Sequence, residues 1–141
     1  MAGCGGSPPV AAQTVTGPGF AFEAPGGWSA KGAHVVHGED IVEVRRFPLA
    51  RAYTPSLFEQ TTPEIERVAQ QLATQLKATL SERTVTVAGE RALQFDFTHG
   101  SVFEQVTFVL RGKTEYQLYC RRAKSDSATP CERLVASFTP R

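Results

Sequence analysis

Residues 62–80, TPEIERVAQQLATQLKATL, and residues 93–120, LQFDFTHGSVFEQVTFVLRGKTEYQLYC, decide the architecture. In the first stretch Ile65, Val68, Leu72, Leu76 and Leu80 recur at three- and four-residue steps, flanked by Ala69 and Ala73. Glu66, Gln70, Gln71, Gln75 and Lys77 fill the other side, so the pattern predicts an amphipathic helix with one core face. Its start is set either by Thr62 as cap with Pro63 in the first turn, or by a capping box of Thr61 and Glu64. In the second stretch the period drops to two. Leu93, Phe95 and Phe97 share one face of a strand. Val102, Val106, Phe108 and Leu110 share another, interrupted by Glu104. Tyr116, Leu118 and Cys120 make a third. The links at residues 98–101 and 112–114 are of hairpin length, so the three strands form an antiparallel meander.

Upstream, Phe20–Ala24 alternates as a short strand, and Pro25-Gly26-Gly27 is a turn leading to Trp28. His34–Val36 and Ile41–Phe47 are β-rich runs joined at residues 37–40, and residues 48–61 form a looser link. Val85–Val87 adds a strand before the turn at Ala88-Gly89-Glu90. Thr129-Pro130-Cys131-Glu132 opens a short final helix anchored by Leu134, Val135 and Phe138. Strands, one long helix, strands and one short helix make an α+β domain, with a central antiparallel sheet of about six strands packed by both helices.

The chain has 141 residues, 41% hydrophobic and 21% charged, with a net charge of +1. That length suits one domain with a core of its own. The balanced charge lacks the basic footprint of a nucleic-acid binder, and no apolar run is long enough to span a bilayer.

The three cysteines divide unevenly. Ala2-Gly3-Cys4-Gly5 has the form of the end of a bacterial lipoprotein signal, in which the thiol of Cys4 takes a diacylglycerol. Met1 then stands where the leader has been removed. Residues 5–19 carry no charge and are rich in Gly, Pro, Ser, Thr and Ala, so residues 1–19 read as a lipobox remnant and flexible tether. Residues 20–141 form the folded domain. Cys120 and Cys131 are separated by ten residues, a spacing that matches no zinc motif and suits a local disulfide. Two buried free thiols are the alternative. A disulfide and an acyl anchor together imply export to the outer face of the bacterial cell membrane.

The segment Phe22-Glu23-Ala24-Pro25-Gly26-Gly27-Trp28, followed by strands, a long helix, a meander and a closing helix, resembles the PsbP-like superfamily. That superfamily includes MOG-type Ran-binding proteins and actinobacterial lipoproteins of the LpqN kind. The resemblance spans residues 20–138 and implies a sheet with helices packed on it, and a role in binding or assembly without catalysis. It carries no catalytic residues across.

Few residues offer chemistry. His34 and His37 fall on opposite faces of one strand, and His99 and Asp96 have the same parity mismatch. No nucleophile motif, zinc motif or phosphate loop is present. No metal, cofactor or catalytic residue is therefore expected. Arg121, Arg122 and Lys124 border the cysteine loop as candidate contacts to anionic headgroups. The expected function is a non-catalytic, lipid-anchored envelope domain that binds a protein partner or small ligand. The rival is a carrier holding a lipid or other apolar ligand in a pocket between sheet and helix.

Overall fold

In a computed structural model, which describes residues 11–141, the helix and the meander form as the periodicities require. The first strands are β1 (Gln13–Gly17), β2 (Phe20–Ala24), β3 (Ser29–Lys31), β4 (His34–His37) and β5 (Asp40–Tyr53). After a 3-10 turn at Pro55–Leu57 come helix α1 (Phe58–Leu76), β6 (Thr79–Val87), β7 (Glu90–His99) and β8 (Val102–Ala123). Helix α2 (Thr129–Ser137) and β9 (Thr139–Pro140) close the chain. The main sheet has six strands in the order β3-β4-β5-β8-β7-β6, and a small sheet has the order β1-β2-β9. All the pairings are antiparallel.

β8 is continuous in hydrogen bonding but not straight. Its first part pairs with β7 and its second part with β5. Glu104 and Tyr119 would lie about 50 Å apart on a straight strand, yet their side chains are hydrogen-bonded. The Lys124 N–H likewise meets the Ser101 carbonyl at 2.9 Å. The strand therefore doubles back at Gly112, whose φ of +59° favours glycine. This is the hairpin expected at residues 112–114.

Alternation divides the core in two. Leu93, Phe95, Phe97, Val106 and Phe108 face α1 and bury Ile65, Ala69 and Ala73 against them. The opposite face, with Val42, Val44, Tyr116, Leu118 and Cys120, is covered by Phe20, Phe22, Leu134 and Phe138 from the small sheet and α2.

Residues 48–61, expected as a looser link, are instead the end of β5, the 3-10 turn and the first turn of α1, and three further expectations are corrected. Residues 13–17 are not tether: β1 pairs with β2 along its whole length, from Gln13 opposite Ala24 to Gly17 opposite Phe20. Val15 is buried in the core, and a Cβ on Gly17 would lie 2.2 Å from the Phe20 ring. The uncharged segment is recruited by its partner strand, which local composition does not report. Residues 1–10 lie outside the described residues, and with them Cys4.

The second correction is the start of α1. The helix begins at Phe58, where that ring is buried and Arg91 stacks on it at 4.3 Å. Thr61 and Thr62 do not cap. Their hydroxyls donate to the carbonyls of Leu57 and Phe58, and Pro63 sits inside the helix. The third is the helix end. Lys77 turns left-handed and stops the helix, so Leu80 belongs to β6, opposite Phe97, still on the α1 side.

Glu82 on β6 faces Glu66 of α1. Desolvation first, and then the Glu66 carboxyl beside it, push the Glu82 pKa up to about 7. A carboxyl with a raised folded pKa contributes stability below its unfolded pKa, and that contribution is lost as pH rises through about 7. Solvent screening at this exposed pair keeps the effect within about 1 kcal/mol. Glu82→Gln is therefore expected to raise the melting temperature at pH 8 by a few degrees at most and to lose that advantage at pH 4. A thermal melt series over pH checks this; an equal gain at both pH values would contradict it.

Candidate functional site

Helix α1 covers β6, β7 and the first arm of β8, but not the neighbouring part of the sheet. The second arm of β8 and β5 keep one face open on the helix side, with Glu43, Arg45, Gln117 and Tyr119 along it. Where the helix edge overhangs this face, a groove of about 270 Å³ forms. Its walls are Val68, Leu72 and Leu76 from α1 with Val106 and Phe108 from β8. Val68, expected in the core, is 43% exposed. The bulky phenylalanines of the sheet accept the small Ala69 and Ala73 beneath the helix, which turns the larger residues outward to its flank.

The polar side of the groove is a chain of hydrogen bonds. The Tyr119 hydroxyl donates to Glu104, and the His99 Nε2 lies 2.5 Å from the other Glu104 oxygen. Burial first, and then the Glu104 carboxylate, raise the Tyr119 pKa above that of a free phenol. The phenol therefore stays protonated and ties the two arms of β8 together. Arg45 lies over the Tyr119 ring at 5.7 Å and bonds Glu43 at 2.9 Å, and Glu43 also meets His34 at 3.1 Å. Burial opposes ionisation of Glu43, but the bonds from Arg45 and His34 outweigh it, and its pKa falls. No reactive nucleophile faces a free base in this set.

The cysteine pair lies at the far end of the other core. Cys120 and Cys131 are both buried, with sulfurs 1.99 Å apart and Cα atoms 5.5 Å apart, at disulfide distance. The bond would join the last arm of β8 to the first turn of α2. Arg122 braces the loop between them: its guanidinium donates to the carbonyls of Ala123, Lys124 and Asp126 and stacks on Phe103 at 4.3 Å. Arg121 lines a cavity of about 310 Å³ together with His37, Glu39, Asp40 and Asp126. Burial, and then the Asp126 carboxyl, raise the Asp40 pKa there. Lys124 is exposed. The three basic residues thus play different parts, and carboxylates stand among them.

The histidines do not converge. His34 pairs with Glu43, His37 stacks on Trp28 at 5.5 Å, and His99 pairs with Glu104. Among the described residues no cluster of three His, Cys, Asp or Glu could hold a metal ion, and no helix is long and apolar enough to cross a membrane.

No family model matches this sequence, and no curated protein matches it either. Among solved structures, the solution structure of cyanobacterial PsbP (CyanoP) from Synechocystis sp. PCC 6803 superimposes with a TM-score of 0.68. The match covers 100% of this chain and 99% of that one at 14% identity. The fold is PsbP-like. At that identity the likeness establishes architecture and carries no residue role. The PsbP-like frame puts the long helix on one side of the sheet and the small sheet with α2 on the other, and the groove lies at the uncovered margin of the helix side.

Proposed function

We propose that this PsbP-like protein is a non-catalytic binding domain, exported and held at the outer face of a bacterial cell membrane by an acylated Cys4. Its ligand or protein partner is taken at the groove between α1 and the open sheet face. The observation that carries this reading is the groove itself: an apolar wall facing a fixed polar floor, without the nucleophile, base or metal cluster that chemistry would need. The cysteine pair at disulfide distance supports an oxidising compartment. Within this reading, the outward-turned Val68, Leu72 and Leu76 favour a small apolar ligand over a purely polar partner. The domain is then a carrier of a lipid or similar molecule.

Native mass spectrometry after gentle extraction from the producing bacterium tests this. A retained apolar ligand, lost in Leu72→Glu, supports the carrier. A copurifying protein lost in the same variant supports the partner-binding module. Bare protein with an unmodified, unprocessed Cys4 would overturn the proposal.

A further inference from the structure

The end of the sheet opposite the cysteine pair gathers four cations that form no ion pair among the described residues. Arg46 and Lys113 line a shallow notch with Pro18, Phe47 and Pro48, and Arg51, late in β5, and Arg111, beside the turn of β8, flank it in sequence. None of the four takes part in an ion pair among the described residues. Two carboxylates stand nearby, Glu115 opposite Phe47 in the register, where it accepts a hydrogen bond from Gln117 at 2.7 Å, and Glu90 beside Tyr53, so the cations outnumber them. Phe47 is 40% exposed, unusual for a residue of its size in this molecule. Residues 111–113, the tip of the β8 hairpin, are exposed, as are residues 45–48 beside them. At the cysteine end, by contrast, Glu39, Asp40 and Asp126 stand among the basic groups.

We infer that this tip is a membrane-docking surface, with the cations on the phosphodiesters of anionic lipid headgroups and Phe47 seated at the boundary with the acyl chains. Four cations that form no ion pair, gathered at one end of the sheet together with an exposed aromatic ring, have the chemistry of an interfacial contact. A bilayer is within reach. The chain enters the described domain at Gln13, at the cysteine end, and the nine residues from Cys4 to Gln13 span at most about 30 Å. The second arm of β8 runs about 27 Å from Cys120 at that end to Gly112 at the tip, so an extended anchored chain just reaches a membrane on which the tip lies. The inference takes from the proposed function one point, that Cys4 is acylated next to a bilayer. The docking chemistry does not need the acyl chain.

The test is sedimentation of the full 141-residue chain, without acyl groups, with phosphatidylcholine vesicles with and without phosphatidylglycerol. Binding is expected to vesicles with phosphatidylglycerol, to weaken as salt is raised, and to fall about five-fold for each cation removed. Arg46→Gln with Lys113→Gln should therefore lose roughly 25-fold. Phe47→Ser should lose binding with its salt dependence retained, and Arg121→Gln with Lys124→Gln should bind as the parent does. Thermal melts confirm that each variant is folded. Equal binding to both vesicles, or no effect of the tip variants, overturns the inference. Binding to oligoglutamate with none to vesicles also overturns it, and assigns the tip to an acidic protein. Because the acyl state of Cys4 is read separately by mass, failure here leaves the anchored reading standing, and an unmodified Cys4 leaves the vesicle result standing.

Discussion

Phe95→Ala is expected to cost about 3–5 kcal/mol, a large share of the whole stability of a domain of this size. Phe95 has no exposed surface and meets Phe108 edge to face at 5.7 Å, on the face that α1 covers through Ile65, Ala69 and Ala73. Because the helix offers small residues here, it has no large side chain to collapse into the space, and the cavity persists. Urea unfolding checks the value through its midpoint, with the slope unchanged. A loss below about 1 kcal/mol would mean that the helix does not pack on this face as described. The groove is affected too, since Phe108 belongs both to the core and to its wall.

The second large effect comes from the cysteine pair. Replacing Cys120 and Cys131 together by alanine is expected to cost about 2–5 kcal/mol, combining the loss of an 11-residue loop closure with two small buried gaps. The loss should concentrate at the end of the chain, because α2 covers the small-sheet side of the core through Leu134 and Phe138. Hydrogen exchange would show α2 and β9 opening first. Uniform protection, with stability equal to that of the parent, would mean that the two cysteines are only packing groups.

Several elements were legible because their signals are local. Period two gave Phe20–Ala24 and the meander, and the glycine at 112 gave the hairpin that the hydrogen-bond pattern alone obscures. Thr129-Pro130 marked α2 to within a residue. The misread parts depend on distant neighbours. β1 is a strand because β2 is beside it and Phe20 closes over Gly17. Helix α1 starts early because Phe58 finds a core and Arg91 finds its ring.

The groove was hidden for a similar reason. Val68, Leu72 and Leu76 belong to the apolar stripe that periodicity detects, but which residues of a stripe reach the core depends on the bulk opposite them. A stripe alone cannot distinguish Ala69 beneath the helix from Val68 at its edge. The polar floor did leave one trace, Glu104 interrupting an otherwise apolar face. Its partners His99 and Tyr119 come from β7 and from the far arm of the hairpin, so only the closed meander brings them together.

What is proposed above is an exported domain whose carboxyl end is tied by the cysteine pair. Its most direct test is to take the protein from its host, alkylate free thiols at once, and digest without reduction. The prediction is a peptide pair joined through Cys120 and Cys131, together with an acylated Cys4. Alkylation of all three cysteines would contradict it.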